Sequence, residues 1–178
     1  MRHITSVLLL TFIALTIACS GAKETTNNTS TSNPNYPAWY SGFEFNSDST
    51  SFVARATAVS DNSEMAHIRA EREARALLES YIAKELEDIR RELGRDGSTL
   101  VQKPDFIMML RNAHYKIEEQ ASLSNSEALE TEGIFRGFAK VDITKEKVKS
   151  LIENGLNSNQ SYQQEFINSL SFQEFLAQ

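Results

Sequence analysis

Few residues of this chain have the types and spacing that chemistry needs. Its soft ligands and neutral-pH bases are one cysteine, Cys19, and three histidines, His3, His67 and His114. Glu64-x-x-His67 is the half-motif with which di-iron carboxylate bundles grip metal. Such sites need a second copy and further carboxylates on facing helices, and no second copy is present, so His67 is expected to be a surface histidine on a charged helix. Glu118 and Glu119 are adjacent on a predicted strand, which points them to opposite faces and excludes a paired acid and base on one face. The sequence has no Gly-rich phosphate loop, no cluster of metal-ligand residues and no nucleophile elbow. Catalysis, a bound cofactor and a metal are therefore not expected.

Charge narrows the partners. The 178 residues hold 18 Lys and Arg against 24 Asp and Glu, a net charge of −6. A surface of that sign favours solubility and argues against a nucleic-acid binder, which needs clustered cations to track phosphates. The length suits one folded domain once a leader and a linker are set aside.

The leader is the most specific stretch. Arg2 supplies a positive start, and Ile4 to Ala18 is an almost uninterrupted apolar run. It is too short to span a bilayer comfortably and the right length for a signal-peptide core. It ends in Leu15-Thr16-Ile17-Ala18-Cys19, which resembles the lipobox of bacterial lipoproteins. Thr16 stands where that motif usually has leucine, with Leu15 one place further out. The resemblance implies cleavage before Cys19, a signal peptide over residues 1–18 and acyl chains on the cysteine. One chain anchors only marginally, and two or more anchor stably. Cleavage takes away Arg2 and leaves 17 basic against 24 acidic residues, a net charge of −7. It also leaves no free thiol for a disulfide, redox chemistry or nucleophilic attack. Ser20 follows, not Asp, which by the enterobacterial sorting rule implies the outer membrane. Ordinary secretion and an uncleaved membrane helix are the rival readings.

Residues 20–35 are rich in Ser, Thr and Asn and contain no large apolar side chain, so residues 19–35 read as a flexible tether. Asn27 and Asn28 fall in glycosylation-type tripeptides, read here as accidents of composition. From Tyr36 the composition changes: Trp39, Tyr40, Phe43 and Phe45 form an aromatic cluster at the start of a domain over 36–156. The cluster is expected to pack across the fold or, alternatively, to form a binding surface. Asn46 to Thr50 reads as a turn.

Phe52 to Val59 alternates, with Phe52, Ala54, Ala56 and Ala58 on one face. Asp61 with Glu64 suggests a capping box for a long helix to about Leu93, stopped by Gly94. In it Ala66, Ala70, Ala74, Leu78, Ile82 and Leu86 make one ridge at four-residue spacing, small in its first half and large in its second. Alanines on both strand and helix predict close backbone approach at the N-terminal half. The opposite side mixes Glu and Arg at three- and four-residue spacing, a solvated ion-paired face, and a heptad coiled coil is the rival. Pro104 is expected to open a short helix through Leu110, in which Met108-Met109 fits core filling or, less commonly, a ligand groove. His114 to Leu123 reads as a second strand and Ile134 to Ile143 as a third, with Gly137 leaving room for close approach. Thr144 is expected to cap a helix bearing Val148, Leu151 and Ile152, ended by Asn154-Gly155.

The order predicts an α+β, two-layer domain: an antiparallel or mixed sheet of three to four strands with one long helix across it, plus C-terminal helices. Residues 157–178 form a helical tail with apparent capping boxes at Ser161/Gln164 and Ser171/Glu174, giving two short helices or one broken at Ser169 to Ser171. Its Phe166, Phe172 and Phe175 either pack on the domain, the expected case, or meet a partner in helix-in-groove fashion.

Pro37-x-Trp39 after a lipoprotein leader, the strand Phe52-Val-Ala-Arg-Ala56, the helix Ala66-x3-Ala70-x3-Ala74-Arg75-Ala76 and the closing Gly137-Phe-Ala-Lys-Val141-Asp142-Ile-Thr-Lys145 together resemble the LPP20-type lipoproteins. Ala58 departs from the glycine often found in that first strand. The resemblance covers roughly 36–156 and implies a small α+β envelope lipoprotein, with no catalytic residues to carry over. The sequence thus points to lipidation at Cys19 and to a non-catalytic structural or protein-interaction module at the outer membrane. It would be held to the membrane by lipid, face the periplasm and engage an envelope protein. A partner or ligand surface would draw on Trp39, Tyr40, Phe43, Phe166, Phe172 and Phe175. The alternative is a periplasmic carrier or sensor of a small apolar ligand or lipid.

Overall fold

In a computed structural model, which describes residues 35–42 and 44–178, the alanine ridge does what its spacing predicts. Helix α1 (Ser63–Arg95) crosses a four-stranded sheet of β1 (Glu44–Ser47), β2 (Ser51–Ser60), β3 (Ser122–Thr131) and β4 (Ile134–Thr144). Strand order is β1-β2-β4-β3 and every pairing is antiparallel. Ala66, Ala70, Ala74, Leu78, Ile82, Leu86 and Ile89 are all buried on the ridge. Opposite them, Phe52, Ala54 and Ala56 of β2 and Ala139 and Val141 of β4 are fully buried. A Cβ at Gly137 would lie 2.1 Å from the Ala66 carbonyl oxygen, so the helix main chain rests on the strand main chain there.

The rest of the core is helical. α2 (Pro104–Gln120) packs beside α1 and α3 (Lys145–Leu156), and α4 (Gln160–Ile167) and α5 (Leu170–Ala177) close the end where the ridge turns large. Gly155 lies inside α3 and does not end it, because its missing Cβ admits the Ala113 methyl of α2. All the described residues belong to one compact unit.

Several local expectations are corrected. His114 to Gln120 is helix, not strand: Phe106, Leu110, Ala113 and Ile117 are buried at helical spacing, and that stripe overrides the brief alternation from Tyr115 to Leu123. Glu118 and Glu119 are therefore exposed helical neighbours. The strand follows later, as β3, an edge strand whose residues are mostly exposed and leave little apolar pattern. β1 occupies part of the expected turn; the turn itself is held by the Asp48 carboxylate, which accepts from the Thr50 and Ser51 amides at 2.8 Å. The cap of α1 is Asn62, whose side chain accepts from the Met65 amide at 2.9 Å, one residue beyond Asp61. The tail forms two short helices capped by Asn159 and Ser169, each two residues before the expected serine. Residues 1–34, with the leader, Cys19, Asn27, Asn28 and nearly all of the tether, lie outside the described residues, as does Phe43. Among the described residues no helix is long and apolar enough to cross a membrane.

Candidate interaction surface

The sheet has one face under α1 and another on which, among the described residues, no helix packs. Pairing register assigns Arg55, Thr57 and Val59 of β2, Arg136, Phe138 and Lys140 of β4, and Asn125, Glu127 and Leu129 of β3 to this open face. Most of these are polar or charged, as a wet face requires. Arg55 pairs with Glu44 of β1 at 2.9 Å, and the Thr57 hydroxyl donates to the Gly137 carbonyl at 2.7 Å. The Glu44 carboxyl is held below the ordinary glutamate range, first by the Ser41 hydroxyl and then by the Asn46 side chain and Arg55.

Phe138 breaks that pattern. It is a large apolar ring on the open face and yet is fully buried. Its cover comes from the chain entering the domain: Tyr40 meets its ring edge-on at 4.8 Å between centroids, and Tyr36 does so at 5.6 Å. Tyr36 stacks on Tyr40, and Trp39 stands edge-on to Tyr40, both at 6.0 Å. A turn closed by the Tyr40 amide donating to the Pro37 carbonyl at 2.9 Å folds these rings together, with Pro37 buried beneath. Arg136 fixes the outer ring, its guanidinium 5.8 Å from the Tyr36 centroid and its Nη1 donating to the Tyr36 hydroxyl at 3.2 Å. Burial raises the Tyr40 phenol above its ordinary pKa, Tyr36 adds to this and Arg136 opposes it. Next to the strap, Val59 and Ile134 are about half exposed and, with Asn35, Thr131 and Arg136, line a shallow cleft of about 210 Å³. Apolar side chains, aromatic rings and one guanidinium suit recognition of another protein surface.

No family model matches the chain. Searches among curated proteins and among solved structures likewise find no match.

The sequence-expected site residues divide into three groups. Trp39 and Tyr40 are brought together in the strap, half-buried. Cys19 and Phe43 lie outside the described residues. Phe166, Phe172 and Phe175 are in the core and offer no surface: Phe175 stacks on Phe52 at 4.9 Å, and Phe166 contacts Phe106 and Phe172 at about 5.5 Å. At the end where the α1 ridge turns large, these tail rings complete a core that also holds Phe52, Phe106, Ile152 and Leu156. Phe45 likewise packs inward, stacked on Tyr81 at 3.6 Å and on Phe52 at 5.9 Å.

Other chemistry-bearing residues serve as ties. His67 Nδ1 lies 2.7 Å from the Ser126 hydroxyl and joins α1 to the edge strand β3. His114 Nδ1 lies 2.7 Å from Glu79 Oε1 and joins α2 to α1. Among the described residues no group of three or more His, Cys, Asp or Glu converges as a metal site. Phe138, Tyr36, Arg136, Val59 and Ile134 escaped the sequence reading; the available signal was a phenylalanine on the polar side of an otherwise clean alternation.

Proposed function

We propose that this chain is a lipid-anchored envelope protein of LPP20 type, held at the outer membrane through Cys19, whose folded domain is a non-catalytic module that engages an envelope protein. The observation that carries this reading is the aromatic strap: the segment following the Ser, Thr and Asn stretch meets the domain on the open sheet face beside exposed Val59 and Ile134. A tethered domain presents such a face to a neighbour with little cost in translational freedom, because the anchor confines both partners to one surface. The alternative, a carrier of an apolar ligand beneath Trp39 and the Phe43 to Phe45 segment, is not favoured among the described residues, because Trp39 stands against Tyr40 while Phe45 packs into the core on Tyr81 and Phe52.

The test is site-directed photo-crosslinking in cells that make the full chain. A photoreactive residue at Ile134 is expected to give one discrete product with a second protein, and the same residue at Glu73, on the exposed side of α1, is expected to give none. Equal products from both positions, or none from Ile134, would overturn the reading.

A further inference from the structure

A second surface has different chemistry. The last turns of α1 and the loop that follows it border an open recess of about 740 Å³, lined by Asp88, Arg90, Arg91, Gly94 and Arg95 of α1 and by Gln102. Arg90 and Arg91 also border a neighbouring recess of about 270 Å³, which adds Glu87 of α1 and Arg111, His114 and the half-buried Ile107 of α2. Four of the chain's 18 basic residues thus line two adjoining recesses that share Arg90 and Arg91, in a protein whose net charge is −6.

Arg90 is fixed, Arg91 is exposed and tied only through Nε, and Arg95 and Arg111 are unspent. Glu87 accepts from Arg90 Nη2 at 2.7 Å and from Arg91 Nε at 2.9 Å, and Arg90 also donates to the Val101 carbonyl at 3.2 Å. The one other carboxylate on the wall, Asp88, is taken by Lys84 at 2.9 Å. Arg95 and Arg111 are exposed, and their side chains have no ion pair or hydrogen bond among the described residues. Arg91 and Arg95 stand one helical turn apart, about 6 Å along the axis. Carboxylates one turn apart on a helix match that spacing, as do alternate residues of an extended strand at roughly 6.6 Å.

We propose that this cleft binds an acidic segment of a protein partner, with carboxylates on Arg91, Arg95 and Arg111 and an apolar side chain against the half-buried Ile107. The inference rests on the interaction-module reading and names a second contact for it. A recess of this size is far larger than a single inorganic anion needs, and its arginines are spread over two helices. An anionic bilayer is disfavoured because the cleft is concave and the surrounding domain is acidic. Guanidinium pairs with carboxylates supply both orientation and charge complementarity.

The full chain, purified in mild detergent, is titrated with a short dye-labelled peptide in which glutamate alternates with leucine and alanine, and with the same peptide carrying glutamine. The glutamate peptide is expected to bind at least about tenfold more tightly, and this difference should shrink as salt rises. Arg95→Glu combined with Arg111→Glu should remove the preference while leaving the melting temperature unchanged, and the Arg→Gln pair should give an intermediate loss. Equal binding of the two peptides, or wild-type binding by the reversed variant, would overturn the proposal. So would capture of the chain by phosphatidylglycerol vesicles that the same reversals abolish, which would make the cleft a lipid site. An Ile134 crosslink that persists when peptide binding fails sinks the cleft assignment alone; loss of that crosslink in the unaltered chain sinks the broader reading.

Discussion

Replacing Gly137 with alanine puts a methyl carbon 2.1 Å from the Ala66 carbonyl oxygen, 2.3 Å from the Ala66 carbonyl carbon and 2.8 Å from the His67 nitrogen. Favourable contacts of this kind begin near 3.5 Å, so α1 must retreat from β4 by roughly 1 Å or more. All three contacts are main-chain atoms in the middle of a helix turn, and no rotamer change relieves them. The retreat also opens the close alanine seam of Ala56, Ala66, Ala70 and Ala139, where a gap of that size forfeits a large part of each dispersion contact. Overpacking of a rigid core costs about 1–3 kcal/mol, and a clash against backbone belongs at the upper end, about 3 kcal/mol. For a domain of this size that is a fall in melting temperature of about 10 °C, read by circular dichroism. Adding Ala66→Gly should not rescue the variant, because the offending atom is the carbonyl, and glycine within α1 costs about 1 kcal/mol more. A loss under about 1 kcal/mol, or rescue by Ala66→Gly, would refute the close-approach argument.

Further predictions follow from other local features. Lys145 is buried, its ammonium has no hydrogen-bond partner among the described residues, and it lies 5.4 Å from the Phe52 ring centroid. The cation–π contact offsets only part of that desolvation, so Lys145→Met should stabilise by about 1 kcal/mol in urea unfolding; a loss of similar size would mean the ring contact dominates. The Glu87 carboxyl is held below its ordinary value of 4.5 by its hydrogen bond from Arg90, aided by Arg91 and opposed by partial burial. With the folded pKa depressed, its contribution is present above pH 4.5 and lost as pH falls through the folded value, so Glu87→Gln should flatten acid destabilisation below that pH. Identical acid limbs for the two proteins would contradict this. Tyr40→Ala uncovers Phe138 and should lower stability by roughly 2–3 kcal/mol, checked by denaturant midpoint; no change would mean the strap does not hold the sheet face.

What was legible in the sequence followed periodicity. The four-residue ridge of α1 and the alternation of β2 and β4 each repeat against a large buried partner, so their patterns are strong and the two-layer arrangement could be read from them. β3 buries little because it is the sheet edge, and its Ser, Asn and Glu residues carry no face to detect. The C-terminal half of α2 reads as a strand because Tyr115, Ile117, Ala121 and Leu123 alternate by chance over the end of a helical stripe. Of the open face, Trp39 and Tyr40 were visible as aromatics at a change of composition, and Phe138 was hidden among charged neighbours on the outward side of β4. The arginine cleft was not legible at all. Arg90, Arg91 and Arg95 look like any solvated helix face until α2 returns beside α1 and brings Arg111 and His114 across from them.

The central claim is that Cys19 anchors this domain in the envelope, and the intact mass of the chain recovered from cell membranes tests it most directly. The account predicts a polypeptide beginning at Cys19 and heavier than its amino acids by a diacylglycerol with or without an amide-linked acyl chain, and it predicts loss of that mass and of membrane association in Cys19→Ser. A mature chain found soluble with an unmodified cysteine, or one retaining residues 1–18, would contradict it.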